Sequence, residues 1–261
     1  MIMKSPDAAY GRRDKFVIWE EFMRILLTND DGIYAHGLER LAKAVLKYGE
    51  VWIVAPAEER SAASHSVTLR HPLDVYPITD YPVEGVKAYS CSGTPVDCIR
   101  VGSLSVMPEK PDVVISGINN GFNMASDLQY SATVGAAFEG AFQEYHAIAI
   151  SEAFDGPHEV TDHYLPEILD RIIYERISPG HIHNVNFPEC SISECKGILY
   201  DRKVSRGMFF KDRYNEIEKL ENGGIRYMIE GIKTPVAEED TDFKALLDHY
   251  ISVGTVNNIG Y

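Results

Sequence analysis

Apolar positions fall into short β-prone runs separated by stretches with helical spacing. Ile25, Leu26, Leu27 and Thr28 form a strand-like run that ends in the polar turn Asn29, Asp30, Asp31, Gly32. Leu38, Leu41, Ala42, Val45 and Leu46 then recur on one helical face, and Gly49 marks the stop. Residues 50–56 ("EVWIVAP"), 113–115 (within "PDVVISGINN") and 146–151 ("HAIAIS") read as three further strands. Between the last two, Val134, Ala137, Phe138, Ala141, Phe142 and Tyr145 trace a helix for which Ser131 is the N-cap. Alternating strand and helix predicts an α/β fold, a doubly wound and mostly parallel sheet.

The pattern changes further on. "EVTDHYLPEILDRIIYERI" predicts another helix with a bend or restart near Pro166, and "HNVNFP" another sheet strand. From Lys196 the signal is mainly β, with Asn222, Gly223 and Gly224 as the turn of a hairpin in "ENGGIRYMIEGI". The expected organisation is a poorly ordered extension over residues 1–22 and a single α/β domain over 23–261. Within that domain, 23–195 is the core and 196–261 a hairpin and C-terminal region expected to make oligomer contacts.

Composition narrows the function classes. The 261 residues are 45% apolar and 25% charged, as in ordinary globular domains. A net charge of −14 argues against polymeric nucleic acid as the main partner, since phosphate neutralisation needs clustered Lys and Arg. A small phosphorylated substrate remains compatible if a metal ion supplies the positive charge. No apolar run reaches membrane-spanning length, and "MIMKSPDAAYGRRDKFVIWEEF" lacks the pattern of a secretory signal. The four cysteines lack CxxC pairing and read as reduced thiols, so a cytoplasmic, non-membrane protein is expected.

The candidate chemistry lies where strands end. Alone, Asp30-Asp31-Gly32 reads equally well as a turn before a helix. Two other loops, however, should emerge on the same edge of a parallel sheet: "APAEERSAASHS", which contains Ser61, and "SGINNGFN", which contains Asn119 and Asn120. Two carboxylates, an amide oxygen and a hydroxyl are hard donors suited to Mg²⁺ or Mn²⁺. Such an ion binds phosphate and acidifies water, which implies hydrolysis of a phosphomonoester. Backbone amides and hydroxyls at Ser131 and Thr133, where a helix starts after a Gly/Asn-rich loop, form a candidate phosphate cradle; taken alone an ordinary serine cap is the favoured reading of Ser131, and only the link to the acidic cluster raises the other. His181 and His183 read as a solvent-facing strand pair, His65 as loop support, and Cys91 and Cys98 as packing residues. A signalling receiver domain also carries an acidic pair after its first strand, but "VVISGIN" and "AIAIS" end without the aspartate and lysine that it requires.

"ILLTNDDGI", "VAPAEERSAASHSVTL", "SGTPVDC", "PDVVISGINNGFN", "YSATVGAAFEGA" and "AIAIS" occur in the order seen in the SurE family of metal-dependent nucleotidases, which this chain resembles from residue 23 to about 151. The resemblance continues more weakly through "NVNFP" and "TDFKALLDHYISV". It implies a Rossmann-like core, a homodimer or homotetramer built partly by the C-terminal hairpins, and a 5′/3′-nucleotidase that hydrolyses nucleoside monophosphates with metal-activated water, holds one divalent ion per subunit, and in some relatives acts on short polyphosphate. By position in the matched motifs, Asp30, Asp31, Ser61 and Asn119 would bind the metal, and Asn120, Ser131 and Thr133 the substrate. Asp30 and Asp31 would be catalytic, Asp30 orienting or deprotonating the attacking water. The family usually has glycine where this chain has Ala132, so an inactive nucleotide-binding or assembly protein on the same fold is the alternative.

Overall fold

The computed structural model describes residues 22–154, 156–234 and 236–259. The expected N-terminal extension, apart from Phe22, lies outside the described residues. The first strand, β1 (Met23–Thr28), is followed by α1 (His36–Val45), β2 (Gly49–Pro56), β3 (Val75–Ile78), β4 (Val86–Cys91) and α2 (Pro95–Val101). Next come β5 (Val113–Asn120), α3 (Ala132–Phe142), β6 (His146–Glu152), α4 (Glu159–Ile172), β7 (His181–Asn186) and β8 (Ile198–Leu199). The chain closes with β9 (Phe210–Lys219), β10 (Ile225–Lys233), α5 (Asp242–Leu247) and β11 (Ile251–Asn257).

Nine strands form one sheet in the order β3-β4-β2-β1-β5-β6-β7-β11-β8. The run from β4 to β7 is parallel, while β3 and β11 pair antiparallel with β4 and β7. After β1 the chain builds outward through β2 on one side and later returns to place β5 on the other. The boundary between β1 and β5 is therefore a topological switch point, where loops diverge to opposite faces and leave a crevice at the carboxyl edge.

Both faces of the sheet are covered, which explains why the inner strands read as continuous apolar runs. Ile25, Leu27, Ile53 and Ile115 face Leu38 and Leu41 of α1 and Ile168 and Leu169 of α4. Leu26, Val54 and Val114 point the other way, toward Cys98 and Ile99 of α2 and Ala136 of α3. This period-two division along β1 fixes its register, because a one-residue slip would exchange the two cores.

Several expectations meet a different outcome. Helix α4 runs unbroken past Pro166, which sits on its exposed face, where water can serve the carbonyl that proline leaves unbonded. The pair β3–β4 had no clear sequence signal because, apart from Ala88 and Cys91, its residues are only partly buried or exposed and alternate weakly. His183 is not solvent-facing but 2% exposed, with its ring 5.4 Å from that of His146. The region from residue 196 divides: β8 and β11 join the main sheet, whereas β9 and β10 form a separate antiparallel hairpin exposed along its whole length.

Candidate active site

Three loops meet at the carboxyl end of β1, each tied to the acidic pair by a hydrogen bond. Asp30 is 3% exposed. Its backbone carbonyl accepts from the Arg60 amide at 2.7 Å, which ties down the loop after β2. Its Oδ1 accepts from Thr133 Oγ1 at 2.5 Å, which ties the first turn of α3 to the same point. Asp31 Oδ2 accepts from the Asn120 amide at 3.2 Å, joining the end of β5. The turn itself is stiffened by Asn29, whose Nδ2 donates to the Gly32 carbonyl at 3.0 Å.

The path of β5 depends on Gly117. Its φ is +140°, and a Cβ there would lie 2.3 Å from the Ile150 carbonyl oxygen of β6. The β5–β6 register shifts between Ser116 and Asn119, and this irregularity re-aims the last two residues of β5 at the edge. Asn119 Nδ2 donates to the Gly121 carbonyl at 2.7 Å, leaving Oδ1 as the atom that can serve a cation.

Of the residues singled out in the sequence, Asp30, Asp31, Asn120 and Thr133 are in direct hydrogen-bond contact. Asn119 neighbours them in β5. Ser131 is a true N-cap: its Oγ accepts from the Val134 amide at 3.0 Å, so that oxygen is already engaged. The exposed Ser61 hydroxyl donates to Glu59 Oε1 at 2.7 Å rather than to the aspartates. Ala132 is fully buried at the start of α3. His65 does serve as support, its Nε2 lying 3.0 Å from Glu139 Oε2.

The electrostatics are one-sided. Burial pushes the Asp30 carboxyl up to about 6, against the Thr133 hydrogen bond, and the charge of Asp31 adds to the rise. Burial also raises Asp31, with Glu59 and Glu152 contributing repulsion and the Asn120 amide opposing it. No cationic side chain of the described residues is among the charges acting on either group. Among the described residues no three His, Cys, Asp or Glu side chains gather to hold a metal. The donor set here is instead two carboxylates with an amide oxygen, in a setting whose unbalanced negative charge a divalent cation would neutralise. By that chemistry the residues fit a hard cation.

A cleft of about 360 Å³ adjoins the acidic pair, lined by Asp31, Asn120, His36, Glu152, Gly156 and His158 among others. Glu152 ends β6 and His158 precedes α4, so a fourth strand end belongs to this edge. Neither residue was singled out from the sequence. The signal was present in "SEAFDGPHEV", which follows a strand whose carboxyl end lies on the same edge as the other three.

A family model described as "Survival protein SurE" matches residues 25–208. The chain belongs to the SurE family. It is 38% identical over 240 residues to the 5′-nucleotidase SurE of Alkaliphilus metalliredigens, covering 90% of this chain and 92% of the relative. It is also 38% identical over 236 residues to the 5′-nucleotidase SurE of Clostridium botulinum strain ATCC 19397, covering 88% and 91%. The crystal structure of the SurE protein from Aquifex aeolicus is similar at a TM-score of 0.75 and 32% identity, over 90% of this chain and 93% of that one. The SurE fold extends well beyond the N-terminal motifs to the strands near the C-terminus. No helix among the described residues is long and apolar enough to cross a membrane.

Proposed function

We propose that this SurE-family chain is a phosphoric monoester hydrolase, a divalent-metal-dependent 5′/3′-nucleotidase that converts nucleoside monophosphates to nucleoside and phosphate. The observation that carries this reading is the junction at Asp30 and Asp31, where a buried and a half-buried carboxylate, with no cationic partner among the described residues, are tied to the loop after β2, the end of β5 and the start of α3. The SurE relatives named as 5′-nucleotidases support the substrate class.

Asp30, Asp31 and Asn119 would hold one Mg²⁺ or Mn²⁺, with Ser61 joining them by turning away from Glu59. A divalent ion in that position supplies Lewis acidity toward a phosphoryl oxygen and toward water. Thr133 fixes the Asp30 carboxylate, and Asp30 orients or deprotonates the attacking water. Asn120, Ser131 and Thr133 would contact the phosphate, Ser131 through its backbone because its hydroxyl caps α3, at the amide-rich start of that helix. The adjoining cleft has the size of a small-molecule site and would take the nucleoside.

The exposed hairpin supports a homodimer or homotetramer. Tyr214, Ile217, Tyr227, Met228, Ile229 and Ile232 are all more than 45% exposed on β9 and β10, and a two-stranded hairpin cannot bury such residues by itself. Four free cysteines, three of them buried, accord with a reducing cytoplasm. The test is release of inorganic phosphate from a panel of 5′- and 3′-mononucleotides by purified protein, with and without added Mg²⁺ or Mn²⁺. Metal-dependent release is expected; none from any nucleotide with either ion would refute the reading.

A further inference from the structure

The acidic junction leaves one cluster unused. Arg40 of α1 reaches across the cleft edge to Glu152, its Nη1 donating to Oε1 at 2.6 Å. It also grips Asp162 Oδ1 through Nη2 at 2.6 Å and Nε at 2.8 Å. The Glu152 side chain is 6% exposed, and its Oε1 lies 3.0 Å from His158 Nδ1. The His158 side chain is 39% exposed and lines the cleft that Asp31 and Asn120 share, with the His36 ring 5.7 Å away.

Arg40, Glu152 and Asp162 suffice to pin α1 to the loop before α4, so a structural role accounts for the ion pairs but not for an imidazole at the cleft wall. The Glu152 carboxylate, itself oriented by a guanidinium, lies at ion-pair distance from Nδ1 without hydrogen-bond alignment, so it holds the ring by charge once the ring is protonated, and Nε2 on the far side of the ring is the nitrogen that would exchange a proton with a ligand. An ester of a ribose hydroxyl needs such a group, because an alkoxide is a poor leaving group unless it is protonated as the bond breaks.

We propose that His158, positioned by Glu152 and Arg40, is the general acid that protonates the leaving nucleoside oxygen. This rests on the nucleotidase reading above. A water oxygen bonds to phosphorus as the phosphorus–ribose oxygen bond breaks, and the electron pair of that bond goes to the ribose oxygen. The ribose oxygen takes a proton from His158 Nε2. The attacking water keeps one proton in hydrogen phosphate, and the proton it sheds returns through solvent to the ring. His158 is the catalytic residue in this step; Glu152 and Arg40 are positioning residues.

Leaving-group dependence tests this. Wild type, His158→Asn, His158→Gln and Glu152→Gln are assayed with Mn²⁺ on a 5′-mononucleotide and on aryl phosphates running from phenyl to p-nitrophenyl phosphate. The two His158 variants should lose roughly 10²- to 10³-fold in kcat on the nucleotide but less than about fivefold on p-nitrophenyl phosphate, whose leaving group departs without protonation. Phenyl phosphate should fall between, and Glu152→Gln should show the same graded pattern at smaller size. Losses equal across the series, or no loss on the nucleotide, would overturn the assignment while leaving the nucleotidase reading intact. Wild-type protein inactive on every ester would overturn both. Because a merely structural defect lowers all substrates together, the gradient separates catalysis from misfolding.

Discussion

Replacing Asp30 with asparagine should make the metal-free protein more stable and inactive at once. The Asp30 carboxyl is shifted from 3.8 to about 6, mainly by burial. A carboxylate whose folded-state value is raised destabilises the native state above that value: stability falls as pH rises from about 3.8 through about 6. The shift of about two units corresponds to a deficit of about 3 kcal/mol at neutral pH. Asparagine removes the charge yet keeps an oxygen to accept from Thr133, so most of the deficit should be recovered. For a chain of this size that is a rise in Tm of roughly 6–12 °C. The assay is thermal melting of wild type and Asp30→Asn in EDTA at pH 7.5 and at pH 4.5, alongside phosphate release with Mn²⁺. The variant should melt higher at pH 7.5, the gap should shrink toward pH 4.5, and metal-dependent phosphate release should be lost. A variant that melts no higher than wild type at pH 7.5, or one that retains full activity, would refute the reasoning.

Other consequences are open to equally direct tests. His146 is pushed down to about 4 by burial and by His183, so its neutral form stabilises the fold above about pH 6.5 and that stability is lost as pH falls from about 6.5 through 4. His146→Phe should remove up to roughly 3 kcal/mol of this acid sensitivity, read from urea melts between pH 7 and 4. Gly117→Ala would place a Cβ 2.3 Å from the Ile150 carbonyl and should cost more than about 4 kcal/mol, visible as loss of cooperative unfolding. Tyr214 and Ile229 are cross-strand partners on the hairpin, and replacing both with serine should convert an oligomer to monomer in light scattering while the core still melts cooperatively.

The inner strands were legible in the sequence because burial on both faces writes an uninterrupted apolar run, as in β1, β5 and β6. The acidic pair was legible because it follows such a run directly and precedes a helix. Strand ends on one edge of a parallel sheet must converge, and three of the loops were paired on that basis. What escaped has physical reasons. The role of Glu152 and His158 depends on Arg40, which lies 112 residues before Glu152 and is joined to it only by tertiary folding. Strands β8 and β11 close the sheet from a region whose local signal was that of hairpins. His183 carries a polar ring into the interior, where packing against His146 and not hydropathy decides its place.

The central claim is that the ends of β1 and β5 form one cation site. Anomalous diffraction from crystals of the wild-type protein grown with Mn²⁺ tests it most directly. One strong peak per chain is expected within coordination distance of Asp30, Asp31 and Asn119, absent in Asp30→Asn. A protein that hydrolyses nucleotides in Mn²⁺ but shows no peak there, or binds its ion elsewhere, would contradict it.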